Sequence, residues 1–139
     1  MSAVLNAKKA VLDALGSRAA LRTVQREIAH PGKFAETELI FIGTTRATED
    51  SRALGMDKRR ETFTVEIIVS VEEPGVDAAA VEARAWRLYG EIEAAILADT
   101  SLSGTVLTAG FSSFEGRGFV GDETRAFEVV ADLECIANK

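Results

Sequence analysis

From Thr62 to Glu72 the chain alternates with a period of two. Phe63, Val65, Ile67, Val69 and Val71 fall on one side, and Thr62, Thr64, Glu66, Ile68, Ser70 and Glu72 on the other. Successive side chains of a strand point to opposite faces, so this segment is a strand with one apolar face and one largely polar face. A strand buried on both sides in a parallel sheet would be apolar nearly throughout, and the strand therefore belongs to an antiparallel sheet. The end of the chain repeats the pattern, with Phe127, Val129, Ala131, Leu133 and Cys135 alternating with mostly acidic or exposed-type neighbours. "ELIFIGTTRATED" and "GTVLTAGFSSF" read as two further strands, and "ALRTVQREI" as a short one. "HPGKFAET" is a loop broken by Pro31 and Gly32.

Two segments change to helical spacing. Val4, Ala7, Val11 and Ala14 or Leu15 share one face between Ser2, a candidate N-cap, and Gly16 at the C-cap position. After "EEPGVD" ends a strand, Asp77 is placed to cap a helix running to about Asp99. Val81, Ala85, Leu88, Ile92 and Ala95 or Ile96 line its inner stripe, with Trp86 and Tyr89 widening the contact. The order is helix, short strand, two strands, helix, two strands. It predicts an α+β fold in which two helices pack on one face of a mainly antiparallel sheet, a two-layer single domain spanning 1–139.

"FEGRGFVGDETRAFEVVADLEC" matches G-x-G-x-x-G at Gly116, Gly118 and Gly121. A dinucleotide loop requires a helix directly after it, whose free N–H groups and positive dipole end face the pyrophosphate. Here a period-two segment follows, and the chain ends at Lys139 without room for the rest of a nucleotide half-domain. The glycines are expected to form a hairpin connection, and no cofactor is expected.

Cys135 is the one cysteine and falls on the inward face of the last strand, which makes it core filler. His30, the one histidine, stands in a loop before Pro31, so neither a histidine metal site nor a histidine-based triad is expected. A net charge of −6 argues against general nucleic-acid binding, which needs a concentrated basic face. No apolar run reaches membrane-spanning length and "MSAVLNAKK" lacks the ordered regions of a signal peptide, so the expectation is a soluble, intracellular, non-enzymatic protein with no metal.

"TRATEDSRALGMDKRR" places Arg46, Arg52, Lys58, Arg59 and Arg60 among Glu49, Asp50 and Asp57. An extended charged connection at about 46–60 is either a solvated loop or an arm whose arginines dock to carboxylates of another chain. Ile68, Val130 and Ile136 add apolar area on the outward side of the sheet, which something must cover. These eight residues, Arg46, Arg52, Lys58, Arg59, Arg60, Ile68, Val130 and Ile136, form the candidate assembly interface.

In this order of elements the chain resembles the tail terminator, or minor tail completion, family of long-tailed bacteriophages and gene transfer agents. The resemblance runs over nearly the whole chain. It rests on the N-terminal helix, the charged extension before "RRETFTVEIIVSVEEPG", the alanine-rich helix "DAAAVEARAWRLYGEIEAAILAD", the "SLSGTV" turn and the final alternating strand. It implies a structural virion protein, assembled in the host cytoplasm, that forms a homo-hexameric ring on the tail tube protein and ends tail elongation. The ring would present a surface to the head-tail connector or neck protein, with DNA only passing through its lumen and no membrane partner. The resemblance brings no catalytic or cofactor residues. Two other readings stay open: another phage neck or head-completion protein bound to the portal or adaptor ring, and a small-molecule-binding α+β domain using Glu66, Glu115, Asp122 or Asp132.

Overall fold

A computed structural model describes residues 2–32, 37–50, 60–74, 77–120 and 124–138. The elements are α1 (Val4–Gly16), a 3-10 turn (Ala19–Leu21), β1 (Gln25–Glu27), β2 (Glu38–Asp50), β3 (Arg60–Pro74), α2 (Ala78–Ala98), β4 (Thr108–Val120) and β5 (Thr124–Asn138). The sheet has five strands in the order β1-β2-β3-β5-β4. Every neighbouring pair is antiparallel except β1 with β2. The fold is α+β, as the patterning requires.

Periodicity accounts for the centre of the sheet. Along β3 the residues from Glu61 to Val71 alternate buried and half-buried, and each pairs with a β5 residue of the same facing, as in Phe63 with Cys135 and Val69 with Val129. Their buried sides form one core with Ala7, Val11 and Leu15 of α1 and with Val81, Ala85, Leu88, Ile92 and Ile96 of α2. Burial of Leu88, Ile92 and Ile96 contributes roughly 1.5–3 kcal/mol each before side-chain entropy is counted. Asp77 caps α2 by accepting from the Ala79 N–H at 3.3 Å. Arg84 of α2 grips the Glu38 carboxylate with Nε and Nη2, tying the helix to β2, and the bonded carboxylate raises the guanidinium pKa.

The first helix is anchored by a residue that alternation would assign to the core. Glu61 is 5% exposed on the inner face of β3. Its Oε1 accepts from Ser2 Oγ and from the Ala3 N–H, both at 3.0 Å, so a β3 carboxylate satisfies a donor at the start of α1. Ala3, not Ser2, holds the N-cap position of α1, with Ser2 Oγ accepting from the Val4 N–H at 3.2 Å, and Ser17 takes the C-cap position expected for Gly16.

Four further expectations need correction. Residues 20–28 do not form one strand: a 3-10 turn occupies Ala19–Leu21, and β1 keeps three residues beside β2, in parallel. β4 begins at Thr108 rather than Gly104, because residues 99–107 turn, with Leu102, Ser103 and Gly104 at positive φ. The charged connection is shorter than 46–60, since β2 runs to Asp50 and β3 starts at Arg60, pairing Arg46 with Thr64 and Asp50 with Arg60. Polar side chains do not prevent pairing when the partner strand already continues. Finally, Gly116 and Gly118 lie inside β4, paired with Val129 and Phe127. β4 and β5 do form a hairpin, but those two glycines are not its turn; Gly121 lies outside the described residues.

Candidate assembly surface

Gly116 owes its identity to packing. A Cβ there would stand 2.6 Å from Phe127 Cζ and 2.7 Å from Trp86 Cζ2, closer than any side chain allows. The missing side chain lets two aromatic rings rest on the strand backbone. Around them, Trp86 is 5.8 Å from Phe127 and 5.9 Å from Phe114, and Tyr89 is 5.5 Å from Phe111 and 5.3 Å from Phe114, ring centre to ring centre. These residues make an aromatic ledge where α2 meets the outer strand. Its far rim is open, with Phe114 57% exposed.

A bulge in β4 places this ledge beyond the reach of simple alternation. Phe111 pairs with Leu133 and Phe114 with Ala131, so three steps on β4 match two on β5. One extra residue reverses the facing of everything that follows. The "FSSFEGRGF" run, with Phe at unequal spacing and two glycines, was the available signal.

Tyr89 is buried, and burial, helped by the Glu93 carboxylate, pushes its phenol up to about 12. Among the described residues its hydroxyl has no partner at normal hydrogen-bond geometry, although Glu93 is near enough to disfavour the phenolate. Burial also pushes the Cys135 thiol up to about 12, with Glu134 adding to the shift, so the thiolate form is suppressed. His30 is exposed in its loop, where Nδ1 accepts from the Gly32 N–H and the ring meets Phe41 edge-on at 4.8 Å.

The outer face of the sheet carries the three apolar residues of the proposed interface. Ile68 and Val130 are direct cross-strand partners, flanked by Phe41 and Glu115 in the same row. Ile136 does not join them: it pairs with Thr62 and Thr108, six residues from Val130, or about 20 Å along the strand. It lines instead a shallow groove of about 310 Å³ with Thr108, Gly110, Ser112 and Glu134. Arg46 is on the outer face of β2, 70% exposed, with Nη2 3.8 Å from Asp132 Oδ2. Arg60 is exposed at the first position of β3. Arg52, Lys58 and Arg59 lie outside the described residues.

Two sheet edges are unpaired among the described residues. β4 has β5 on one side and no strand on the other along its whole length. β1 covers β2 only at Leu39, Ile40 and Phe41, which leaves Thr45–Asp50 bonded to β3 alone. Phe119, 50% exposed, stands on the open outer strand. Among the described residues no three metal-ligating side chains converge, and no helix is long and apolar enough to cross a membrane.

No protein-family model matches the chain, and no curated protein matches it. Among solved structures it is similar to a chain from the virion of a native gene transfer agent particle, with 15% sequence identity, 94% of each chain covered and a TM-score of 0.48. A second solved chain is 18% identical, with 97% of this chain and 96% of the other covered and a TM-score of 0.46.

Proposed function

We propose that this chain is a structural, non-enzymatic protein of a phage-like particle. It acts as a tail terminator that assembles into a six-fold ring on the tail tube, ends elongation and offers its other surface to the head connector. The sequence resemblance supports this reading, and one structural observation carries it. The helices occupy one face of the sheet, whereas among the described residues Ile68 and Val130 on the opposite face and Phe114 and Phe119 on the β4 edge strand stay at least partly open. Apolar side chains and unpaired strand edges together are features that assembly covers.

Electron microscopy of the purified protein, alone and mixed with tail tubes, tests the proposal. Rings with six-fold symmetry are expected at tube ends, together with tubes that stop growing when the protein is added. Tubes that elongate unchanged and carry no end density refute it, and density on a portal or adaptor ring instead reassigns the protein to the neck.

A further inference from the structure

The two open edges of the sheet fit each other. In the order β2-β3-β5-β4 direction reverses at each step, so β2 and β4 run in opposite directions at the two sides of a four-strand antiparallel block. A second copy in the same orientation, with its helices on the same side, therefore brings its β2 antiparallel to the first copy's β4. No strand need reverse and no helix need change face. A head-to-tail contact of this kind repeats until it closes into a ring or grows as a fibre.

We infer that the outer edge of β4 pairs with Thr45–Asp50 of β2 in a neighbouring copy, making the intersubunit seam of the assembly. The inference rests on the ring reading above and deepens it by naming the partner edges. Charge and shape select a register. Placing Arg46, 70% exposed, opposite Glu115, 64% exposed, joins opposite charges across the seam. Their contacts within one chain, to Asp132 and Arg117, are at the surface and cost little to exchange. The same register sets Ala47, exposed on the helix side of β2, opposite Phe114, the open rim of the aromatic ledge. A small side chain then meets a large one, and the ledge gains a cover. Thr45 falls opposite Gly116, on the helix side with it. The seam would also cover residues 111–116 of a 13-residue edge strand, which otherwise invites indiscriminate pairing.

The test joins Arg46→Cys with Glu115→Cys in the full chain; the native Cys135 is buried and stays out of the reaction. Mild oxidation of the assembled protein is expected to give a covalent ladder that climbs from dimer to the copy number found by light scattering. Neither single variant should give one. In parallel, Arg46→Glu and Glu115→Arg should each raise the concentration needed for assembly by about tenfold or more, and the double reversal should restore it. A normal oligomer that yields no ladder and ignores both reversals overturns the edge pairing and leaves the ring standing. A ladder that stops at dimer overturns the head-to-tail arrangement in favour of a two-fold contact. A wild-type chain that remains monomeric at high concentration and on tail tubes overturns the ring reading, and the seam with it.

Discussion

Replacing Gly116 by alanine is expected to destabilise the protein, although the opposite sign is usual for a glycine inside a strand. Removing backbone freedom from the unfolded chain ordinarily gains about 0.4–1 kcal/mol. At Gly116 the added carbon would lie 2.6 Å from Phe127 Cζ and 2.7 Å from Trp86 Cζ2, so both rings must retreat by roughly 1 Å to reach ordinary contact. Phe127 is 8% exposed and packed against Trp86, which in turn packs against Phe114 and Tyr89. Movement of either ring disturbs its packed neighbours. Overpacking of this kind costs about 1–3 kcal/mol, leaving a net loss of up to about 2.5 kcal/mol, which for a domain of this size lowers Tm by up to roughly 10 °C. Gly118→Ala provides the control, since its Cβ would meet only Phe127, at 3.5 Å and 3.8 Å. That variant should melt at or slightly above the parent temperature. Thermal denaturation followed by circular dichroism measures both, and near-ultraviolet circular dichroism reports the aromatic cluster directly. If Gly116→Ala melts with or above Gly118→Ala and leaves the aromatic signal unchanged, the argument that ring packing selects glycine is wrong.

Glu61→Leu should cost about 1–3 kcal/mol in urea denaturation, because Ser2 Oγ and the Ala3 N–H lose their acceptor, and amides of the first turn of α1 should exchange faster than those of α2. Tyr89 and Cys135 are held protonated by the fold at about 12, against ordinary values of 10.0 and 9.0. Their contribution is therefore complete below about pH 9 and is lost as pH rises toward 12, so stability should fall across that window, and less steeply in Tyr89→Phe with Cys135→Ser. Tyr89→Phe also removes a buried hydroxyl without a good partner and should be neutral or stabilising by about 1 kcal/mol at pH 7. Reversing Arg52, Lys58 and Arg59 to Glu should preserve melting yet prevent tube capping in a salt-dependent manner, and normal capping would make 51–59 a solvated connection. A ring of six would carry about −36 formal charges, so isolated rings should not bind DNA at physiological salt; tight binding would mean a basic lumen.

The parts of this protein set by local periodicity could be read before any coordinates. A strand whose inner positions are all apolar from Phe63 to Val71 has one face it can bury, and the matching run from Phe127 to Cys135 has the same need, so the two came out paired at the middle of the sheet. The cap at Asp77 and the stripe of α2 followed likewise from residues within a few positions of each other. What periodicity could not carry was anything that depended on counting through an irregularity or on contacts across long separations. One extra residue at the β4 bulge turns Phe114 and Gly116 toward the helix side, a facing that two-residue alternation counted from Phe111 would not give. Gly116 then looked like a turn residue, because its reason lies in Trp86, thirty positions earlier and on another element. Glu61 looked like an intruder in an apolar row, because its donors sit at Ser2 and Ala3. Residues 46–50 fell to two readings, strand and charged connection, and the ladder to β3 assigns them to the strand. The open edges belong to the same class: an edge exists only once the order of strands is set, and that order lies in which strands pair across long separations in sequence.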